Sequence, residues 1–255
     1  MFQPSTASKM YKKAIYTIRQ NHPLTSDVWR MVLAGDTQWI TRPGQFVNIE
    51  LEGLYLRRPI SINDWDGQTI TIIYKVVGRG TEQMSRMAEG ETLDVLTGLG
   101  NGFDADVECQ CPLLVGGGVG VLPLYRLAKE LIARGRKVSV VLGFNTAAEV
   151  FYADEFRALG ADVYLSTADG SIGTKGFVTD AIRENAIDFD YFYSCGPLPM
   201  LKALCDCTDV KGELSFEERM GCGFGACMGC SCKTLTGNKR ICKEGPVMKR
   251  EEIIW

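Results

Sequence analysis

The spacing of hydrophobic residues changes near residue 110, and this change limits the possible folds more than any other feature. Over residues 11–96, short runs of β-branched and aromatic residues alternate with turn residues. This regular spacing is typical of an antiparallel β-barrel. After the change, buried strands alternate with helical stretches, beginning with LLVGG at 113–117. That alternation predicts a parallel sheet with helices on both faces.

The last forty or so residues have neither periodicity, and five of the ten cysteines lie there. We therefore predict a multidomain protein that combines a β domain with an α/β domain: an antiparallel barrel domain (1–106), a parallel-sheet nucleotide-binding domain (107–212) and a small C-terminal domain (213–255). For the ending EEIIW, with Met228 and Met248 nearby, two placements remain open. It belongs to a partner interface, or it packs as a strand on the chain's own core.

Composition excludes several classes of function. The 255 residues are 45% hydrophobic, but no stretch of the length of a membrane span is uncharged and apolar, so we expect no membrane insertion. The net charge of −3 and the absence of a basic run give no footprint for nucleic acid. The first residues carry no export signal, so we expect a cytoplasmic protein with reduced cysteines.

Four cysteines have the spacing of a plant-type two-iron, two-sulfur (2Fe-2S) cluster. Cys222, Cys227 and Cys230 form C-x4-C-x2-C, and Cys242 follows after eleven residues. The small residues between them allow the backbone to wrap closely around an inorganic core. Structural zinc is the alternative, but it usually draws on two C-x2-C pairs, and only one is present. Cys232 is a second candidate for the third ligand, although the x2 spacing favours Cys230.

Two turns of the α/β part are candidates for binding a nicotinamide dinucleotide. A glycine-rich turn follows the first strand and opens a helix, a favourable place for a pyrophosphate, and a second turn ends a later strand. The residues are Gly116, Gly117, Gly118 and Gly120 in the first turn and Cys195, Gly196 and Pro197 in the second. The first turn does not satisfy G-x-G-x-x-G, so a tight turn without a ligand is the alternative. Asn145 and Glu149 do not decide between NAD and NADP.

The barrel contains RRPISI, in which the spacing of Arg58 and Ser61 can bring a guanidinium to a phosphate and a hydroxyl or backbone group to a nearby ring. A surface strand is the alternative, and for such a tetrapeptide alone it is the more common case. Electron counting supports a flavin there. A nicotinamide exchanges two electrons as a hydride, whereas a two-iron cluster exchanges one electron at a time. A chain that holds both needs a converter, and flavin has that chemistry.

RPIS with G-x-G-T, LLVGGGVG and SCGP together resemble the ferredoxin reductase family of flavoproteins. The ending ERMGCGFGACMGCSCK…ICKEGPVM is similar to that of the electron-transfer subunits of class B dihydroorotate dehydrogenases. The resemblance implies the cluster on the four cysteines, NAD as electron acceptor and FAD in the barrel. The implied FAD residues are Arg58, Pro59, Ile60, Ser61, Tyr74, Lys75, Val76, Gly80 and Thr81.

The resemblance also implies a partner, an FMN-containing catalytic subunit that oxidises dihydroorotate in pyrimidine biosynthesis, with two copies of each chain. This chain would relay electrons and would carry no catalytic acid or base, in keeping with its single histidine, His22. Cys232 and the short SCKTLTGNKRI stretch depart from the pattern. Two alternatives remain: a ferredoxin/NAD(P) oxidoreductase subunit of a transhydrogenase-type complex, and a zinc-stabilised binding module without redox chemistry.

Overall fold

The computed structural model describes residues 11–255. Residues 1–10, which include the start of the first predicted domain and the segment on which the expectation about export rests, lie outside the described residues. Six antiparallel strands form a closed barrel in the order β1-β2-β5-β4-β3-β6. The strands are β1 (Lys12–Pro23), β2 (Val28–Ala34), β3 (Phe46–Ile49), β4 (Arg58–Trp65), β5 (Thr69–Lys75) and β6 (Thr92–Leu99).

The barrel closes because alternate side chains on its strands are large and apolar. Ile70, Ile72 and Tyr74 of β5 point inward with Val47 and Ile49 of β3, as the period of two along a strand requires. One short helix, α1 (Arg79–Ser85), follows β5 and packs Met84 against the barrel core.

The second half of the chain builds a parallel sheet with helices on both faces. Its strands are β7 (Pro112–Gly117), β8 (Ser139–Phe144), β9 (Asp162–Thr167), β10 (Thr174–Lys175), β11 (Tyr191–Cys195) and β12 (Gly212–Ser215). Its helices are α2 (Pro123–Ala133), α3 (Ala153–Ala158), α4 (Val178–Glu184) and α5 (Leu198–Cys207). The chain runs outward from β7 in one direction through β10 and in the other through β11 and β12, so the strand order reverses between β7 and β11.

The helical stretch predicted around α3 is interrupted. A short 3₁₀ turn at 147–149 precedes α3, and Tyr152 between them has a left-handed backbone, with φ of 65°. Its side chain is nevertheless buried and its hydroxyl donates a hydrogen bond to Asn63 of the barrel, 2.9 Å away. The break in the helix thus places the Tyr152 side chain where it connects the α/β part to the barrel.

The cysteine segment, residues 217–249, contains three short strands that its sequence does not predict. It contains a hairpin of β13 (Ser231–Thr234) and β14 (Gly237–Arg240), followed by β15 (Val247–Lys249). β15 pairs antiparallel with β12, completing a seven-stranded sheet in the order β10-β9-β8-β7-β11-β12-β15. Met248 is therefore buried in the chain's own core, whereas Met228 is 54% exposed. In the part of the chain described, no helix is long and apolar enough to cross a membrane.

Glu213 is a buried carboxylate where the link from the barrel meets the sheet. It lies on β12, is 5% exposed, and accepts a hydrogen bond from the Asp104 amide at 2.9 Å. Burial raises the pKa of Glu213 to about 7, against the lowering effect of that hydrogen bond. A raised carboxyl pKa favours the folded protein below the unfolded value near 4.5, and this advantage is lost as pH rises through 7.

We therefore expect Glu213→Gln to flatten the dependence of stability on pH. Between pH 5 and 8 the native protein should lose about 2 to 3 kcal/mol more unfolding free energy than the variant, since one pKa unit corresponds to about 1.4 kcal/mol. Glutamine keeps an acceptor for the Asp104 amide, so the variant should fold. Denaturant unfolding at the two pH values measures the difference; parallel losses in both proteins would contradict the assignment.

Candidate functional site

The four predicted cysteine ligands lie in two pairs on the outside of the barrel wall. The Cys230 and Cys242 sulfurs are 3.2 Å apart and both residues are buried. Cys227, which is exposed, is a side-chain hydrogen-bond partner of Cys222. The buried pair packs with Ile241 and Met248 against barrel residues Phe46, Leu96 and Leu99. The thiols thus sit directly on strands β3 and β6.

Backbone amides point at the sulfurs. The N–H groups of Ala226 and Cys227 donate to Cys222 Sγ at 3.2 and 3.4 Å, and the Cys242 N–H donates to Cys230 Sγ at 3.4 Å. Burial raises the pKa of Cys222, but amide hydrogen bonds outweigh it and lower the pKa to about 6. Such donors stabilise a thiolate and the negative charge of an iron–sulfur core.

The donor set fits a two-iron centre. All four candidate ligands are cysteines, and they form two pairs. Structural zinc needs four ligands around one centre, whereas a two-iron cluster takes four thiolates at two metal positions. Glycines leave room close to the thiols: a Cβ on Gly221 would lie 3.3 Å from Cys227 Sγ.

The other cysteines belong to neither of these pairs. The Cys232 sulfur lies 4.0 Å from Met248 Sδ, and Cys232 packs at the edge of the apolar cluster that contains Cys230 and Cys242. Cys109 and Cys205 are buried among apolar side chains, and burial raises the pKa of each thiol. They are therefore protonated at neutral pH and act as packing residues.

On β4, next to β3, Arg58 has the features of a phosphate ligand. Its guanidinium covers Gly80, where a Cβ would lie 2.2 Å from Arg58 Nε. Its hydrogen bond goes to the Leu56 carbonyl, and it has no carboxylate partner among the described residues. Arg57, by contrast, is paired with Asp94 at 2.8 Å and with Glu50. A cation at the barrel rim beside a glycine fits a phosphate-bearing cofactor such as FAD.

The remaining predicted flavin residues differ in whether their side chains are available to a ligand. The Thr81 hydroxyl accepts from the amides of Val77 and Gly78 at 2.9 and 3.3 Å, which fixes the turn that carries Gly80. Ile60 packs against the barrel core, and Pro59 and Ser61 are partly exposed. The Tyr74 side chain points into the barrel and its hydroxyl donates to Asn21 at 3.0 Å. Only the backbone of Tyr74 is therefore available to a ligand outside the barrel.

The two predicted dinucleotide turns touch each other at the reversal of strand order. β7 and β11 are neighbours, with Gly116 opposite Cys195. A Cβ on Gly120 would lie 2.3 Å from the Cys195 carbonyl oxygen, and one on Gly117 would lie 2.6 Å from Met200 Sδ. Glycine is thus required sterically. Gly118, with φ of +54°, has open space where a Cβ would point. Dinucleotides bind at such switch points, outside the carboxyl ends of the strands.

A small hollow joins the flavin and nicotinamide candidates. Lys75 of β5 and Gly118 line it, together with Phe144 at the end of β8 and Glu149 after β8. Lys75 is paired with Asp27 at 3.0 Å. The end of the barrel strand and the glycine turn thus face the same space.

Asn101, a residue that the sequence does not single out, fixes the fourth thiol. Its side-chain amide donates to the carbonyls of Glu244 and Val247 at 2.9 and 2.6 Å, and its oxygen accepts from the Val247 amide at 3.0 Å. The link from barrel to sheet therefore holds the loop that follows Cys242. These bonds span more than 140 positions, so no local sequence signal could reveal them.

Two regions of the chain match known protein families. Residues 217–254 match the iron-sulfur cluster binding domain of dihydroorotate dehydrogenase B. Residues 114–206 match the oxidoreductase NAD-binding domain. The first region coincides with the thiol pairs, and the second contains both glycine turns.

The solved structures show the same architecture. A chain in the structure of an NADH-dependent reduced ferredoxin-NADP oxidoreductase, described in terms of flavin-based electron bifurcation, superposes with a TM-score of 0.85 at 32% identity, over 95% of this chain and 90% of that one. A ferredoxin NADP+ reductase from Neisseria gonorrhoeae with bound FAD and NADP shares the fold, with a TM-score of 0.67 at 16% identity, over 79% and 91% of the two chains.

Curated relatives extend over nearly the whole chain. The electron transfer subunit of dihydroorotate dehydrogenase B (NAD+) of Fusobacterium nucleatum subsp. nucleatum is 46% identical over 251 residues, covering 93% of this chain and 96% of the relative. The subunit of the same name from Geobacillus sp. (strain WCH70) is 46% identical, covering 96% of this chain and 100% of the relative. The chain belongs to the family of dihydroorotate dehydrogenase B (NAD+) electron transfer subunits.

Proposed function

We propose that this chain carries electrons from the oxidation of dihydroorotate to NAD+, in pyrimidine biosynthesis, as one half of a two-component oxidoreductase. One observation carries the proposal: the thiol pairs pack on β3 and β6 of the barrel, beside β4, whose Arg58 is the candidate flavin ligand. Oxidation of dihydroorotate releases two electrons and two protons. NAD+ takes both electrons and one proton as a hydride, and the second proton goes to solvent.

The cofactors are a 2Fe-2S cluster, FAD and NAD, and each is assigned to residues already described. Cys222 with Cys227, and Cys230 with Cys242, would hold the two irons. When bound, the cluster supplies one-electron transfer and FAD converts between single electrons and a hydride. Arg58 and the turn of Gly80 and Thr81 would bind the flavin diphosphate. The turns at 116–120 and 195–197 would bind the dinucleotide.

Glu149 supports NAD over NADP. It follows β8, is held by the Asn145 side-chain amide at 2.9 Å, and lines the hollow next to Gly118. A carboxylate near the end of the second strand accepts from a ribose hydroxyl and repels a 2′-phosphate. Lys75, the cation among the residues that line this hollow, is already paired with Asp27. The relatives' names also specify NAD+.

We further propose the division into a flavin domain (1–106), a dinucleotide domain (107–212) and a cluster domain (213–255), and the assembly of two copies with two FMN-containing catalytic subunits. The relatives' name, electron transfer subunit, implies a catalytic partner. Electrons would enter near Cys227 and Met228, because these are exposed at the tip of the thiol loop. No catalytic acid or base is assigned to this chain.

The proposal is tested on the chain purified anaerobically with its co-expressed partner. Dihydroorotate is added, flavin absorbance is followed, and low-temperature EPR is recorded on the same sample. Flavin bleaching together with a reduced two-iron signal is the expected result. Bleaching by NADH but not by dihydroorotate would instead favour the ferredoxin oxidoreductase function suggested by the bifurcating enzyme's structure. A colourless protein that contains zinc would overturn both.

Arg58→Ala should weaken FAD binding by about tenfold to a hundredfold, because a charge-assisted hydrogen bond contributes about 1.5–3 kcal/mol. The flavin content of the purified protein and the dissociation constant from flavin fluorescence measure the effect. Arg86→Ala is the matched control, since Arg86 is on the surface directly after α1 and its ion-pair partner among the described residues is Glu82. Equal flavin affinity in both variants would remove Arg58 from the site.

A further inference from the structure

We propose that Asn48 is a positioning residue that fixes the thiol loop against the flavin-binding side of the barrel, and so sets the electron transfer between the two. The inference rests on the proposed function and deepens it. Asn48 lies in the middle of β3, between Pro59 of β4 and Leu96 of β6. It therefore lies between the candidate flavin strand β4 and strand β6, whose Leu96 packs with the buried cysteines.

Asn48 faces outward but is covered. Val47 and Ile49 on either side belong to the barrel interior, so alternation directs Asn48 and Phe46 to the outer face. Phe46 packs there with Cys230 and Cys242. Asn48 is only 1% exposed. A neutral amide is thus buried between the barrel and the cysteine segment.

The side-chain nitrogen holds the loop that bears the first thiol. Asn48 Nδ2 donates to the Cys222 carbonyl at 3.3 Å, across 174 positions of sequence. Gly223 lies directly against this amide. A Cβ at Gly223 would lie 2.3 Å from Asn48 Nδ2, and the φ of +80° at Gly223 also favours glycine. The Cys222 loop therefore takes its position on the barrel from the Asn48 amide.

The side-chain oxygen has no partner. Asn48 Oδ1 is buried and accepts no hydrogen bond within residues 11–255. Leaving a buried acceptor unpaired costs about 1–3 kcal/mol, which an apolar residue of similar size would avoid. An amide kept at this position despite that cost indicates that the contact of Asn48 Nδ2 with the Cys222 loop is needed.

The test compares Asn48→Ala and Asn48→Asp with wild type in the complete complex. Aspartate has nearly the same shape but cannot donate to the Cys222 carbonyl. Electron transfer from NADH-reduced flavin to the cluster should slow at least about tenfold in both variants, since small displacements at a reacting site have effects of this size. The cluster's reduction potential should shift to lower values, because the amide hydrogen bonds to Cys222 depend on the loop's position.

The controls separate failure of this inference from failure of the proposed function. Thr97→Val, a buried polar residue of the neighbouring strand β6, should leave transfer rate and potential unchanged. If the purified wild-type protein contained neither iron nor flavin, the proposed function itself would be contradicted. If wild type is active and both Asn48 variants keep the wild-type potential, EPR spectrum, flavin spectrum and transfer rate, the positioning role is overturned. Because potential and spectra are read alongside the rate, a general loss of stability cannot produce the expected pattern.

Discussion

Cys227→Ser is expected to abolish dihydroorotate-dependent reduction of NAD+, with a loss of about a hundredfold or more, while reduction of an artificial dye by NADH persists. Loss of one thiolate removes a direct cluster ligand, and changes to the groups around ligands alone already cost about ten- to a hundredfold. Dye reduction needs the flavin and dinucleotide turns, which Cys227 does not touch. Because Cys227 is exposed, the substitution leaves the packing of the buried pair in place.

The measurement pairs steady-state rates with iron content and EPR of the reduced protein. Cys232→Ser is the matched control, since Cys232 belongs to neither thiol pair and its sulfur contacts Met248 Sδ, and it should retain the cluster signal. If Cys227→Ser lost both activities equally, the cluster would be needed for flavin binding and would not serve as a relay. Loss of the EPR signal in the Cys232 variant would place the third ligand at Cys232.

Gly120→Ala is expected to raise the KM for NADH by about tenfold or more and to reduce the free energy of unfolding by about 1–3 kcal/mol. The new methyl group would lie 2.3 Å from the Cys195 carbonyl oxygen and 2.8 Å from Gly196 Cα. Both are backbone atoms, so the two dinucleotide turns must separate, and overpacking of this kind has a cost in that range. NADH-driven bleaching of the flavin and denaturant unfolding give the two quantities.

Gly135→Ala is the control for backbone strain alone. Gly135 follows α2 with φ of +77° and has open space where a Cβ would point. The Gly135→Ala variant should lose about 1–2 kcal/mol of unfolding free energy, because alanine is strained in the left-handed conformation. Its KM for NADH should be unchanged. A wild-type KM in Gly120→Ala would show that contact between the turns does not shape the dinucleotide site.

The parts of the fold that sequence predicts are those encoded locally. The change from short strands to strand–helix alternation predicts the barrel and the parallel sheet, and the spacing of four cysteines predicts that they form one cluster site. The inward orientation of Tyr74 follows from the period of two that it shares with Ile70 and Ile72 on the same strand. The sequence singles out Arg58 by its spacing to Ser61, and the structure adds that the neighbouring Arg57 is paired with Asp94.

The features that sequence does not predict are set by long-range pairing. β15 has three residues, too few for a periodic signal. It forms because β12 offers an edge for pairing, where Met248 lies opposite Leu214. Asn48 and Asn101 read as ordinary strand and loop residues, yet each holds part of the cysteine segment. Their roles depend on which distant backbone groups the fold brings to them.

The short outer strands restrict how other proteins can attach. A closed barrel has no edge, and the seven-stranded sheet ends in β10 with two residues and β15 with three. Both strands of the hairpin in the cysteine segment have four. In the part of the chain described, no long unpaired backbone is available for another polypeptide to extend. Recognition of a catalytic subunit must therefore depend on side chains and shape, and the same edges protect the free chain from sheet-to-sheet aggregation.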